Sequence, residues 1–96
     1  MSNVVIGKNN VFEDLGFEPE EAANLKIRAD LIIDIQEFIQ SQNWTQAEAA
    51  IFFKETQPRI SNLMNGDIDR FSIDKLVQML NRAGLNVRVL VTSKAA

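Results

Sequence analysis

The stretch that decides the fold is residues 45–66, which read TQAEAAIFFKETQPRISNLMNG. Thr45 followed three residues later by Glu48 is the pattern of a capping box, in which two side chains satisfy free backbone N–H groups at a helix start. Thr56 is a second candidate cap, and Pro58 falls in the first turn after it, where a missing N–H costs nothing. The pattern predicts two short helices joined by a turn.

These two helices are expected to be stable only as a packed pair, because helices of under about ten residues are marginal in water. Ala50, Phe53, Ile60 and Leu63 supply the apolar side chains for that packing. The two threonine caps stand eleven residues apart, which is the length of one helix and one turn, and Gly66 is a typical helix end. This spacing predicts a helix-turn-helix motif.

The sequence on both sides of the motif predicts further helices. Pro19 with the acidic residues that follow it begins a helix that runs to about Ser41, and a serine cap begins a last helix over Ile73–Arg82. Residues 1–17 predict an arm that is either a short strand or partly disordered, and the rough alternation of Leu85–Val91 predicts a strand. We therefore divide the chain into an N-terminal arm at 1–18, a helical domain at 19–84 and a C-terminal strand and tail at 85–96.

The net charge of −3 by itself argues against nucleic acid as a partner. The distribution of charge is more informative, since residues 1–40 carry three basic and eight acidic side chains whereas residues 41–96 carry seven basic and five acidic ones. Binding to phosphates needs a basic face and not a basic chain. The half that contains the motif is therefore compatible with nucleic-acid binding, and a chance distribution is the alternative.

Several kinds of chemistry lack the residues that they need. The chain has no cysteine and no histidine, which excludes disulfides, thiolate metal sites and nucleophiles activated by histidine. Its carboxylates have no nucleophile beside them, and no Gly-rich phosphate loop occurs. No apolar run approaches the ~20 residues of a membrane span. We expect a cytoplasmic protein that is not an enzyme and that uses no metal and no cofactor.

The helix-turn-helix stretch also contains a Thr-Gln pair, a small alanine, a threonine cap, an Ile-Ser pair and a final glycine. These are Thr45, Gln46, Ala50, Thr56, Ile60, Ser61 and Gly66. The set resembles the Xre family of helix-turn-helix proteins, which includes phage repressors and Cro proteins. The resemblance implies an all-α, lambda-repressor-like bundle of five helices, with a short C-terminal strand in this chain, and binding to double-stranded DNA.

One residue departs from the pattern of that family. The turn position that is usually glycine is Lys54. A residue with a side chain at this position must adopt a left-handed conformation, at a cost of roughly 1 kcal/mol. The sequence therefore predicts a positive φ at Lys54.

The resemblance implies that the second helix of the motif enters the major groove, where each base pair shows a distinct pattern of donors and acceptors. The candidate base-reading residues are Gln57, Arg59 and Asn62. The candidate phosphate-binding residues are Thr45, Gln46, Lys54, Ser61, Asn65 and Arg70. For the base-reading set the alternative is that they are ordinary solvated residues. Phe52, Phe53 and Phe71 are expected in the core and not in base stacking.

A palindromic operator requires two copies of the motif, so we expect a homodimer. The candidate dimerisation residues are Leu85, Val87, Val89 and Val91, because a lone strand edge tends to pair. The acidic first half and the strand after the motif resemble HigA-like antitoxins, which implies a basic RelE-like toxin facing the acidic residues within 13–37. The expected function is an autorepressing antitoxin that regulates transcription. The alternatives are a stand-alone phage-type repressor and a protein-interaction module without DNA binding.

Overall fold

Five α-helices and one 3₁₀ turn make up the computed structural model, which describes residues 10–93. The bounds are Val11–Asp14 for α1, Pro19–Ser41 for α2, Gln46–Phe53 for α3, Gln57–Met64 for α4, Ile68–Arg70 for the 3₁₀ turn and Ile73–Arg82 for α5. The all-α, five-helix class and the four helices that the sequence predicts are confirmed. Among the described helices, none is both long and apolar enough to cross a membrane.

The long helix α2 contacts α1, α4, α5 and the 3₁₀ turn, whereas α3 packs mainly against α4. Pro19 occupies the first turn of α2. The two acidic residues of the same turn interact favourably with the positive end of the helix dipole. The buried side chains of α2 recur at spacings of three, four and seven, which places them on one face. They are Ala22, Leu25, Ile32, Ile35 and Ile39.

One apolar core joins α2, α3, α4 and α5. Ile60 and Leu63 of α4 and Leu76 of α5 are fully buried in it. Phe71, which precedes α5, is also buried there, as the sequence predicts. Each large aliphatic side chain contributes about 1.5–3 kcal/mol when it leaves water. This packing fixes the inner face of α4 and leaves its outer face for other contacts.

The last part of the predicted arm forms the helix α1, whereas the sequence predicted a short strand or partial disorder there. The side chain of Asn10 accepts a hydrogen bond from the Phe12 N–H at 2.9 Å, which caps the helix. The same side chain donates to the carbonyl of Ala22 at 2.9 Å and so ties α1 to α2. Residues 1–9, which contain the apolar run that suggested a strand, lie outside the described residues.

The prediction of a C-terminal strand over Leu85–Val91 is wrong for the single chain, since residues 10–93 contain no β-strand. The predicted alternation does exist at its start, where Leu85 and Val87 are half-buried and Asn86 and Arg88 are exposed. A strand also needs a neighbour whose N–H and C=O groups complete the hydrogen-bonded ladder. The described chain contains no β-strand that could serve as this neighbour.

Candidate nucleic-acid interface

The start of α3 is held by the capping box that the sequence predicts. The Thr45 hydroxyl accepts a hydrogen bond from the Glu48 N–H at 3.1 Å, and the Glu48 carboxylate accepts one from the Thr45 N–H at 2.8 Å. Gln46 follows as the first residue of the helix, and its side chain is exposed. Among the candidate phosphate-binding residues, Thr45 and Gln46 therefore lie together at one helix start, where free N–H groups favour an anion.

The turn between α3 and α4 is left-handed at Lys54, as predicted, with φ 55° and ψ 43°. The Lys54 N–H donates to the carbonyl of Ile51 at 3.3 Å, and the Glu55 N–H donates to that of Ala50 at 2.9 Å. This pair of bonds is a Schellman motif, which usually carries glycine at the left-handed position. The Lys54 side chain is exposed to solvent, in the turn that precedes α4.

Helix α4 divides into a buried inner side and a polar outer side. The Thr56 hydroxyl caps it by accepting from the Arg59 N–H at 3.2 Å, and Pro58 lies in its first turn. Gln57, at the start of the helix, is exposed, whereas Asn62 is half-buried. Ser61, in the phosphate-binding set, is also half-buried on α4, and Asn65 is exposed just after it.

Arg59 differs from the other two candidate base-reading residues because its side chain is engaged within the protein. Its guanidinium carbon lies 4.5 Å from the centroid of the Phe71 ring. One terminal nitrogen donates to the Arg70 carbonyl at 2.9 Å. Arg59 stands four residues before the buried Leu63, so both lie on the same side of α4. On α4, Gln57 is therefore exposed and Asn62 is half-buried, whereas the Arg59 side chain is bound to the loop that precedes α5.

Glu55 is a residue of the interface that the sequence analysis did not single out. Only 9% of its side chain is exposed. Its carboxylate pairs with the ammonium group of Lys75 on α5 and lies 3.6 Å from the Arg59 guanidinium. Glu55 therefore links the turn to both α4 and α5. Its position between Lys54 and the Thr56 cap was the only local signal, and it does not identify the partner on α5.

The end of α4 is held by a second residue that the sequence analysis missed. The Gln36 side-chain amide on α2 donates to the carbonyl of Leu63 at 2.8 Å. Gly66, at φ 73°, then ends the helix, and its N–H also donates to Leu63 at 3.0 Å. Side-chain donors at a helix end satisfy carbonyls that have no partner within the helix. Gln36 thus connects α2 to α4, the helix that carries the candidate base-reading residues.

The loop after α4 carries Arg70, the last candidate phosphate-binding residue. Its side chain is 61% exposed and donates to the Asp67 carboxylate at 2.9 Å. The carbonyl of Arg70 receives the bond from Arg59, so the loop is tied back to α4. Exposed ion pairs of this kind are worth about 0–1 kcal/mol, so Arg70 can exchange Asp67 for a phosphate at little cost.

The candidate dimerisation residues fall into two groups. Leu85 and Val87 are half-buried and pack against the core. Val89 and Val91 are 84% and 88% exposed, and Leu90 between them is 85% exposed. The first residues of the segment thus pack against the core, whereas no described residue buries the apolar side chains of Val89–Val91.

No group of three or more acidic, histidine or cysteine side chains in the described part of the chain is placed to hold a metal ion. On α2, Asp34 has a displaced pKa. Its pKa is raised by partial burial, with smaller contributions from the negative charges of Glu37 and Asp30. This group lies on α2, outside the candidate base-reading and phosphate-binding residues.

Comparison with known proteins places this chain beside one protein family and beside solved structures. A family described as a helix-turn-helix domain matches residues 11–92. A solved structure described as a proposed XRE family transcriptional regulator is similar to this chain at 26% sequence identity, with a TM-score of 0.72. That similarity covers 77% of this chain and 83% of the other. No curated protein matches the chain.

Proposed function

This chain belongs to the helix-turn-helix domain family, and from that membership we propose that it is a transcriptional regulator that binds double-stranded DNA at specific sequences. The observation that carries the proposal is the division of α4, whose inner residues Ile60 and Leu63 are buried while Gln57 is exposed at its start. A helix of this kind fits the major groove with its first residues at the base edges. The solved structure of the proposed XRE family regulator supports the same function.

We assign base reading to α4. The side-chain amides of Gln57 and Asn62 each carry a donor and an acceptor, the combination that pairs with adenine. Arg59 would read guanine, but it must first leave its bond to the Arg70 carbonyl and its contact with Phe71. Gln57 and Asn62 are therefore the principal base-reading residues of this proposal, and Arg59 is the third.

Phosphate contacts are assigned to residues on both sides of α4. They position the protein on the duplex without reading its sequence. The capped start of α3 and the left-handed turn offer one group, and the end of α4 with the following loop offers another. The full set is Thr45, Gln46, Lys54, Ser61, Asn65 and Arg70.

The test is a mobility shift or fluorescence anisotropy titration with the DNA upstream of the gene for this chain. The double variant Gln57→Ala with Asn62→Ala should lose about 1–3 kcal/mol of specific binding for each lost base contact. Gln40→Ala is the matched control, since Gln40 is an exposed glutamine on α2 whose side chain forms no hydrogen bond with another described residue. Unchanged binding by the double variant would remove α4 from the assigned role. An affinity that does not fall with added salt would point to a protein-interaction module, because phosphate contacts release counterions.

For the biological role we propose an autorepressing antitoxin, with a stand-alone phage-type repressor as the alternative. The support is the resemblance to HigA-like antitoxins together with the acidic residues of α2, such as Glu20, Glu21 and Glu37, which are exposed. A basic, RelE-like toxin would be complementary to that charge. Co-purification of this chain with the product of a neighbouring gene for a small basic protein tests the role. If no such gene or complex exists, the repressor is the remaining function.

The regulator is proposed to act as a homodimer, because a two-fold operator needs two recognition helices about 34 Å apart. The support is the exposed apolar end of the chain, which includes Val89 and Val91. Contiguous apolar surface of this kind marks interaction sites in soluble proteins.

A further inference from the structure

Glu55 holds two cations at a nearly buried position in the turn before α4. Its side chain is 9% exposed. One carboxylate oxygen pairs with the ammonium group of Lys75 on α5, and the other lies 3.6 Å from Nε of Arg59 on α4. The turn, α4 and α5 therefore meet at a single negative charge. We call Glu55, Arg59 and Lys75 the Glu55 cluster.

The guanidinium of Arg59 is held by three contacts of different kinds. Its Nε faces the Glu55 carboxylate, and one terminal nitrogen donates to the Arg70 carbonyl at 2.9 Å. The plane of the group lies over the Phe71 ring, with 4.5 Å between the guanidinium carbon and the ring centroid. The side chain is nevertheless 35% exposed, so it lies at the surface, where it can exchange these partners for a ligand.

Of these three contacts, the one with Glu55 is the contact between opposite full charges. A carboxylate that is removed from water is unfavourable unless its cations stay beside it. If Arg59 leaves, Glu55 keeps Lys75 as its partner within the cluster and loses the second cation. The charge of Glu55 therefore opposes any movement of the Arg59 guanidinium away from the loop before α5.

Arg59 is also a neighbour of Asn62, one of the principal base-reading residues of the proposed function. Asn62 follows three residues later on α4, and residues at that spacing are adjacent on the surface of a helix. A released guanidinium would thus lie beside the base edges that Asn62 contacts, where arginine pairs with guanine through two hydrogen bonds. A guanidinium that stays with Glu55 leaves those edges unread.

From these observations we propose that Glu55 is a specificity-determining residue that limits the reading of guanine by Arg59. Glu55 acts through Arg59 and is therefore a positioning residue. With Glu55 charged, sequence preference depends mainly on Gln57 and Asn62, and the preference for guanine at the base pair that Arg59 reaches is weak. Without that charge, Arg59 turns to the major groove more readily and the preference becomes strong. This inference rests on the proposed function and specifies how its sequence preference is set.

Glu55→Gln tests this inference with the full chain, because it keeps the shape of the side chain and removes its charge. The duplex that the wild type binds is varied one base pair at a time, and anisotropy titrations give a dissociation constant for each sequence. Glu55→Gln should gain a preference of about tenfold or more for a G·C pair at one position. The gain should disappear when Arg59→Ala is added. An unchanged preference, or a gain that persists without Arg59, would overturn the inference.

Asp69→Asn is the matched control, since Asp69 is an exposed carboxylate in the 3₁₀ turn and forms no ion pair within the described residues. It removes the same charge as Glu55→Gln, so both variants should bind every duplex more tightly. Asp69→Asn should leave the preference among base pairs unchanged. The same new preference for G·C in this control would assign the effect to overall charge and overturn the inference. Circular dichroism should show folded helices for every variant.

A measurement without DNA tests the positioning of Arg59 directly. In nitrogen-15 spectra of the free chain, the Arg59 Nε–H should exchange with water several-fold faster in Glu55→Gln than in the wild type. Lys75→Met should act in the opposite direction, because Arg59 is then the remaining cation of the Glu55 cluster. This variant keeps the test valid if Glu55→Gln does not fold. Equal exchange in the wild type and the folded variants would overturn the inference.

The inference and the proposed function fail in distinguishable ways. If the wild type binds no duplex, or if Gln57→Ala with Asn62→Ala binds like the wild type, the proposed function fails and the specificity role of Glu55 fails with it. If the wild type binds its DNA through Gln57 and Asn62 but Glu55→Gln leaves both the base preference and the exchange of Arg59 unchanged, the function stands and this inference alone is overturned.

Discussion

The guanidinium carbon of Arg59 lies 4.5 Å from the centroid of the Phe71 ring, so a residue of α4 is stacked on the residue that precedes α5. Phe71 is 1% exposed and cannot move without opening the core. The bond from Arg59 to the Arg70 carbonyl and the proximity of Glu55 hold the guanidinium in the same place. The pair fixes α4 against the loop that follows it.

We expect Arg59→Ala to lower the free energy of unfolding by about 1–2 kcal/mol, through the loss of a cation–π contact and of one hydrogen bond. Arg82→Ala is the control, because Arg82 is exposed and makes no ion pair within the described residues. Urea denaturation of both variants gives the comparison. If Arg59→Ala is as stable as the wild type but loses DNA binding, the side chain acts on DNA and not on the fold.

Lys54→Gly should raise the free energy of unfolding by about 0.5–1 kcal/mol, because glycine adopts the left-handed conformation of this turn without strain. The same change should weaken DNA binding, since it removes a proposed phosphate contact. The reverse substitution is the control: Gly66→Ala, at φ 73°, should destabilise the protein. Thermal denaturation measures both, and a less stable Lys54→Gly variant would contradict the argument from strain.

Ile60→Ala should cost about 2–5 kcal/mol of stability, because Ile60 is fully buried on the inner face of α4 and its truncation leaves a cavity. Ile51→Ala is a matched control in the same motif, since Ile51 on α3 is 80% exposed. Its stability should stay close to that of the wild type. Equal losses in the two variants would mean that the two sides of the motif are assigned wrongly.

Asp34→Asn should stabilise the monomeric chain at neutral pH. The pKa of Asp34 is raised in the folded state by partial burial and by the charges of Glu37 and Asp30, and the cavity that Asp34 and Glu37 line contains one further charged residue, Arg88. The folded state therefore binds more protons than the unfolded state between the ordinary pKa, 3.8, and the raised one. Stability is lost as pH rises through this window, because Asp34 must then be charged in the folded state.

The measurement is denaturation of wild type and Asp34→Asn as a function of pH, at protein concentrations low enough to keep both monomeric. The advantage of the variant should be largest above the raised pKa and should disappear below the ordinary pKa, where Asp34 is neutral in both states. An advantage that is the same at every pH would exclude the charge of Asp34 as its cause.

Much of the helix-turn-helix could be predicted because its signals are local. Thr45, Thr56 and Ser72 each accept a hydrogen bond from the backbone three residues later, so the sequence spacing contains the contact. Gly66 ends α4 because glycine adopts a positive φ without strain. The same reasoning predicted the left-handed Lys54. The core residues of α3 and α4, namely Ala50, Phe53, Ile60 and Leu63, were also predicted from apolar spacing alone.

Local signals could not decide whether Leu85–Val91 forms a strand. Its alternation is real, since Leu85 and Val87 are half-buried while Asn86 and Arg88 are exposed. Alternation describes only the faces of a segment, whereas a strand also depends on a neighbour that accepts its hydrogen bonds. In the described chain that neighbour is missing, and the proposed second copy would supply it.

The amino-acid sequence by itself determined where α2, α3, α4 and α5 begin and end, because caps, glycines and apolar periodicity act over three or four residues. Only the tertiary structure decided which side chains are free at the candidate interface. Arg59 is turned to Phe71, Glu55 is paired with Lys75 on α5, and Gln36 reaches Leu63 from 27 positions away in sequence. Contacts of that range depend on how whole helices pack, which no local pattern of residues specifies.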